Sequence, residues 1–150
     1  MSELRELYQS VILDHNKRPR NFREPEDANR VADGYNPLCG DKITVYLDLE
    51  DDVVMDVGFS GSGCAISMAS ASLMTQSIKG RKVDEVRHLF DGFHELVTSN
   101  SSEEIDSAEL GKLAVFGGVR EFPVRVKCAT LAWHTLKSAL DGSAEIAKTE

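Results

Sequence analysis

Three cysteines and one aspartate carry the chemistry this sequence could perform. Cys39 and Asp41 lie in Asn36-Pro-Leu-Cys39-Gly-Asp41, Cys64 follows Gly61-Ser-Gly, and Cys128 follows Arg125-Val-Lys. Taken singly, Cys64 and Cys128 fit ordinary core packing, because free cysteine behaves as a small hydrophobe. Cys64 sits over Met68 and Ala71, and Cys128 heads the apolar row Ala132, Leu136, Leu140. Cys39 is on no such stripe; it lies between a proline turn and a glycine, where its sulfur has little to pack against.

Taken together the four residues suggest a metal. Cys64 and Cys128 fall near expected helix N-termini, where free N–H groups and the helix dipole stabilise a thiolate. Gly40 lets the chain curl so that Cys39 and Asp41 face one point. Three thiolates and a carboxylate give four donors, the count that tetrahedral zinc takes. They bring four negative charges against the two positive ones of zinc, and a shielded surplus needs compensation. Arg125 and Lys127 beside Cys128 are the candidate cations, although either also reads as a solvated surface charge. The spacing itself is loose, less specific than paired C-x-x-C. The histidines add nothing to it. His134 is about 240° round its helix from Cys128, and His88, His94 and His134 read as surface or satisfied side chains. The glycines between Gly58 and Gly63 lack the order of a phosphate-binding loop and the lysine that would follow it.

The elements that must position these groups follow from periodicity. Leu4, Leu7, Tyr8, Val11 and Ile12 predict an amphipathic helix over 3–15. Residues 18–36 read as irregular. The alternation of Ile43, Val45, Leu47 and Leu49, the Asp51-Asp52 turn and the run 53–59 predict a hairpin. Helices are expected over 64–78, 83–97 and 107–116, the last stopped by Gly117-Gly118. A final helix is expected from Pro123 or Arg125 to Leu140, with Gly142 beyond its end. The sum is a single α+β domain over 1–150, a small antiparallel sheet packed by helices.

Composition sets the class. With 150 residues, 41% of them hydrophobic, the chain can bury a real core. A net charge of −8 opposes nucleic acid as a partner. The acidic runs Glu50-Asp51-Asp52 and Glu103-Glu104 read as solvated turns and caps. No apolar run of about 18 residues predicts a membrane span, and the charged N-terminus does not read as a signal peptide. The expected compartment is the cytoplasm, where thiols stay reduced, and an odd cysteine count argues against a disulfide framework.

Four motifs in order, Ile12-Leu-Asp-His15-Asn-Lys-Arg-Pro19-Arg-Asn21, Asn36-Pro-Leu-Cys39-Gly-Asp41, Gly61-Ser-Gly-Cys64-Ala-Ile-Ser-Met-Ala-Ser and Arg125-Val-Lys-Cys128-Ala-Thr-Leu, resemble the U-type iron–sulfur assembly proteins over nearly the whole chain. Within that family the chain looks like the zinc-binding SufU branch more than the IscU scaffolds. Lys127 stands where IscU proteins carry a histidine, Glu121-Phe-Pro-Val-Arg125 departs from the chaperone-recognised Leu-Pro-Pro-Val-Lys motif, and about 91–112 looks like the SufU insertion. The resemblance implies a SufE/NifU-like fold and zinc on the positions matching Cys39, Asp41, Cys64 and Cys128. It implies persulfide sulfur received from a SufS-type pyridoxal-phosphate cysteine desulfurase, and delivery to downstream iron–sulfur assembly proteins. Cys39 is the implied acceptor, released from zinc when a desulfurase histidine replaces it, and Arg125 the implied aid to transfer. Two alternatives stand beside this sulfurtransferase: a scaffold holding a labile [2Fe–2S] cluster or iron, and a purely structural zinc module.

Overall fold

The long hairpin of residues 41–62 organises the sheet. In β2 (Asp41–Glu50) the residues Asp41, Ile43, Val45 and Leu47 point inward and are buried, while their neighbours are not. Asp51 and Asp52 turn the chain with φ of 52° and 62°, the double left-handed geometry of a tight hairpin turn that aspartate tolerates. β3 (Val53–Ser62) returns antiparallel, with Leu47 opposite Val57 and a register shift between Asp48 and Leu49. The computed structural model describes residues 2–37, 40–98, 111–142 and 147–148.

The structure differs from expectation just before the hairpin. Part of the stretch read as irregular is β1 (Arg30–Asn36), paired antiparallel along its whole length with β2, from Arg30 opposite Leu47 to Asn36 opposite Asp41. Its inward residues are Ala32, Gly34 and Asn36, too small or too polar to show as an apolar alternation. Gly34 is needed there: a Cβ would run into the Thr135 hydroxyl of the last helix. Among the described residues the sheet has four strands in the order β3-β2-β1-β4, and β4 (Ala147–Lys148) joins β1 parallel. The expected antiparallel sheet therefore gains a two-residue parallel edge.

The helices are α1 (Ser2–Lys17), α2 (Ala65–Ile78), α3 (Val83–Thr98) and α4 (Pro123–Asp141). Gly142 closes α4 in the left-handed conformation at φ 69°. The expected helix over 107–116 is instead a 3₁₀ helix, Gly111–Glu121, that runs through Gly117-Gly118; residues 107–110 lie outside the described ones. Gly117 and Gly118 leave room here, since a Cβ on Gly117 would only touch Leu96 at 3.4 Å, and Leu113 and Phe116 enter the core. At the centre, the Trp133 ring stacks on Phe93 with centroids 4.6 Å apart. Its indole N–H donates to Ser70 Oγ at 3.2 Å, and Ser70 donates to the Ala129 carbonyl at 2.6 Å, tying α2 to α4. His134 packs among Phe90 and His94. Among the described residues no helix is long and apolar enough to cross a membrane.

The N-terminal motif is held on α2. The Arg20 N–H donates to Ser72 Oγ at 2.8 Å, and the same Oγ is hydrogen-bonded to His15 Nδ1 at 2.7 Å. Asn21 donates to Thr75 Oγ1 at 3.0 Å, and its carbonyl accepts from the Phe59 N–H at 3.0 Å. His15 is buried, and burial, reinforced by the charges of Arg20 and Lys112 and opposed by Asp14, holds its imidazole below the ordinary 6.5. A histidine whose pKa is lowered on folding binds fewer protons folded than unfolded, so its contribution is intact above pH 6.5 and is lost as pH falls below it. The thermal midpoint should therefore drop on acidification below that pH. His15→Gln should make the fall shallower, with the remainder carried in part by His134, which burial also lowers. An identical slope in the variant would show that His15 is not the sensitive group.

Candidate metal centre

The hairpin start and two helix starts converge on one point. Asp41 opens β2 and is wholly buried. The sequence reads it as lying on the turn beside Gly40. Its place at the first rung of the β1–β2 ladder, opposite Asn36, fixes it instead. Cys64 is the N-cap of α2, and its Sγ accepts from the Ser67 N–H at 3.5 Å. Cys128 lies in the second turn of α4, buried like the apolar row below it. One ligand atom from each of Asp41, Cys64 and Cys128 lies within 4.8 Å of the others.

Asp41 is the hub. Its Oδ1 accepts from the Cys64 N–H at 2.9 Å, and its Oδ2 lies 3.3 Å from Asn36 Nδ2. The same Asn36 amide reaches Cys128 Sγ at 3.7 Å. Gly63 makes room: a Cβ there would stand 2.6 Å from Asp41 Oδ1. Gly61, at φ +131°, lies against the Lys42 backbone, which a Cβ would strike. The glycines before Cys64 thus let β3 cross beside the carboxylate and enter α2 without pushing it away.

Cys39 lies outside the described residues. Of its described neighbours, Gly40 donates its N–H to the Asn36 carbonyl at 2.8 Å and takes φ +70°. Arg125 is exposed on the first turn of α4, and Lys127 is half-buried. Sequence reasoning missed Asn36 as a functional residue. An asparagine supplies no strong ligand, and its signal, a polar residue at the inward position of a strand, is invisible while β1 itself is unread.

The likeness to known proteins covers these same elements. The NifU-like N-terminal domain family matches residues 7–129. The chain belongs to that family. The zinc-dependent sulfurtransferase SufU of Bacillus subtilis is 43% identical over 89% of this chain and 89% of its own. The iron–sulfur cluster assembly scaffold protein IscU of Streptococcus pyogenes is 40% identical over 96% of this chain and 89% of its own. A crystal structure described as an iron–sulfur cluster assembly scaffold protein of the SUF system, from Fervidobacterium islandicum, superposes with a TM-score of 0.80 at 35% identity, over 87% of this chain and 93% of that one.

Asn36→Ala removes the amide that joins Asp41 to Cys128 and leaves buried acceptors without it. The expected cost is about 1–3 kcal/mol of unfolding free energy, read from urea denaturation of the metal-stripped protein. A loss within experimental error of zero would show that the amide does not organise the centre.

Proposed function

We propose that this chain is a zinc-dependent sulfur acceptor of iron–sulfur cluster assembly, holding the metal on Cys39, Asp41, Cys64 and Cys128 and taking persulfide sulfur onto Cys39. The observation that carries it is the convergence of Asp41, Cys64 and Cys128 ligand atoms within 4.8 Å, with Cys39 two residues from the first of them. The donors suit zinc. Thiolates bound to one tetrahedral zinc at about 2.3 Å stand roughly 3.8 Å apart, within the separation found. The relative named a zinc-dependent sulfurtransferase supports the same reading. Zinc in this site would keep its cysteine ligands deprotonated at neutral pH.

The chain's own residues then divide the work. Asp41, Cys64 and Cys128 come from a strand start and two helices, so they suit a permanent cage. Cys39, on a turn bounded by Pro37 and Gly40, suits a residue that must reach another protein. Its thiolate attacks the outer sulfur of a cysteine persulfide on the partner. The partner's S–S bond breaks, a new S–S bond forms on Cys39, and the partner's cysteine leaves as thiolate with the electron pair. Arg125, exposed three residues before Cys128, is positioned to steady anionic sulfur during that exchange. The partner is a pyridoxal-phosphate cysteine desulfurase of the SufS type, the compartment the cytoplasm, and the recipients downstream assembly proteins. The stretch 91–112 reads as the insertion of the SufU branch; in its described part α3 runs on to Thr98 and the 3₁₀ helix begins at Gly111.

A second reading, a scaffold for a [2Fe–2S] cluster, is favoured by the relative named an IscU scaffold. The same donors would serve it, and the absorption spectrum of the purified protein separates the two: colourless with one zinc per chain for the acceptor, brown for the scaffold.

Elemental analysis should find one zinc per chain, and stripping it should lower the thermal midpoint by on the order of 10 °C. A verified zinc-free sample that melts with the loaded protein would contradict the coupling of site to fold. Mass spectrometry after turnover of the desulfurase with cysteine, under non-reducing conditions, should map an added sulfur to Cys39. Cys39→Ser should abolish stimulation of the desulfurase, and Arg125→Ala should slow transfer at unchanged zinc content. Sulfur mapped to Cys64 or Cys128 and never to Cys39 would sink this assignment.

A further inference from the structure

Ser67 is wholly buried, and its hydroxyl has no hydrogen-bond partner among the described residues. That sets it apart from the other serines of its helix. Ser70 donates to the Ala129 carbonyl, Ser72 bridges His15 and Arg20, and Ser77 donates to the Leu73 carbonyl. A buried hydroxyl without a partner is costly, and alanine would fill the same place without that cost. An unpaired donor in this position points to an acceptor that becomes strong only in another state of the site.

The surroundings name the acceptor. The Ser67 backbone N–H already donates to Cys64 Sγ at 3.5 Å, and in any rotamer a serine Oγ lies within roughly 4 Å of its own nitrogen. Ser70, one turn on and on the same face, is bonded to Ala129, the residue after Cys128. Ser67 thus stands in the first turn of α2, three residues after Cys64, on the helix face whose next turn is bonded to the residue after Cys128. Each described ligand has a neutral donor: Asp41 has the Cys64 N–H and Asn36, Cys128 has Asn36, and Cys64 has the Ser67 N–H, which leaves the Ser67 hydroxyl as the one unused donor beside them among the described residues. A neutral thiol is a weak acceptor and a thiolate a strong one.

We propose that Ser67 is a positioning residue of the metal centre, whose hydroxyl donates to the Cys64 thiolate when the centre is loaded. The inference rests on the metal-binding reading above. It gives Cys64 two donors from one residue, N–H and O–H, and so marks Cys64 as the sulfur that stays on the metal while Cys39 departs.

The test compares wild type with Ser67→Ala in three measurements: zinc affinity by competition with a chromophoric chelator, the charge-transfer band of the cobalt-substituted protein, and the thermal midpoint after metal stripping. The variant should bind zinc on the order of 10-fold more weakly, as loss of an outer hydrogen bond to a ligand does. Its thiolate-to-cobalt band should move to lower energy, and its stripped midpoint should equal or exceed that of wild type. Affinity within about twofold of wild type, with an unmoved band, would overturn the proposal. So would a stripped midpoint below wild type, which would make Ser67 a structural residue. Wild type that takes up neither zinc nor cobalt would overturn the metal reading itself, and this inference with it.

Discussion

A carboxylate buried at the first rung of a β-ladder is the interaction on which the rest of the centre depends. Asp41 is removed from water, a costly position unless its oxygens are satisfied. One oxygen is held by the N–H that opens α2, the other by an asparagine from the neighbouring strand. Those two bonds fix how β1, β2 and α2 meet. Because Asn36 also reaches Cys128, they set the place of α4 as well. A core of Phe59, Phe93, Trp133 and their neighbours then clamps the helices, so the ligand cage is rigid by packing as well as by hydrogen bonds.

The same logic separates holding from acting. The N-terminal motif around His15 and Asn21 meets the rest of the protein through hydrogen bonds to Ser72, Thr75 and Phe59. These lie two or more turns along α2 from Cys64, or in the middle of β3. That motif secures the fold. Cys39 lies between Asn36 and Gly40, which are joined by a backbone hydrogen bond at the junction of β1 and β2. In the proposed function, the thiol that visits a partner is thus the one outside the group formed by Asp41, Cys64 and Cys128.

Much of this was legible in residue types. The hairpin, the four α-helices and the convergence of Asp41, Cys64 and Cys128 follow from period, turn chemistry and helix-start positions. What stayed hidden had physical causes. β1 could not be read because its inward residues, Ala32, Gly34 and Asn36, are chosen for closeness to α4 and to the centre rather than for hydrophobic mass. The 3₁₀ helix passes through a glycine pair that reads as a stop, because burial of Leu113, Phe116 and Val119 on either side of it outweighs local propensity. Asn36 and Ser67 act by where they stand, and a donor's partner cannot be inferred until the strands and helices around it are placed.

The central claim is that three sulfurs and one carboxylate oxygen of this chain surround one zinc ion. X-ray absorption at the zinc edge of the purified protein tests it most directly. The account predicts a shell of three sulfurs at about 2.3 Å and one lighter neighbour near 2.0–2.2 Å, with Asp41→Ala changing only the lighter shell and Cys39→Ser lowering the sulfur count by one. A shell of nitrogen and oxygen alone, or a sulfur count untouched by Cys39→Ser, would contradict it.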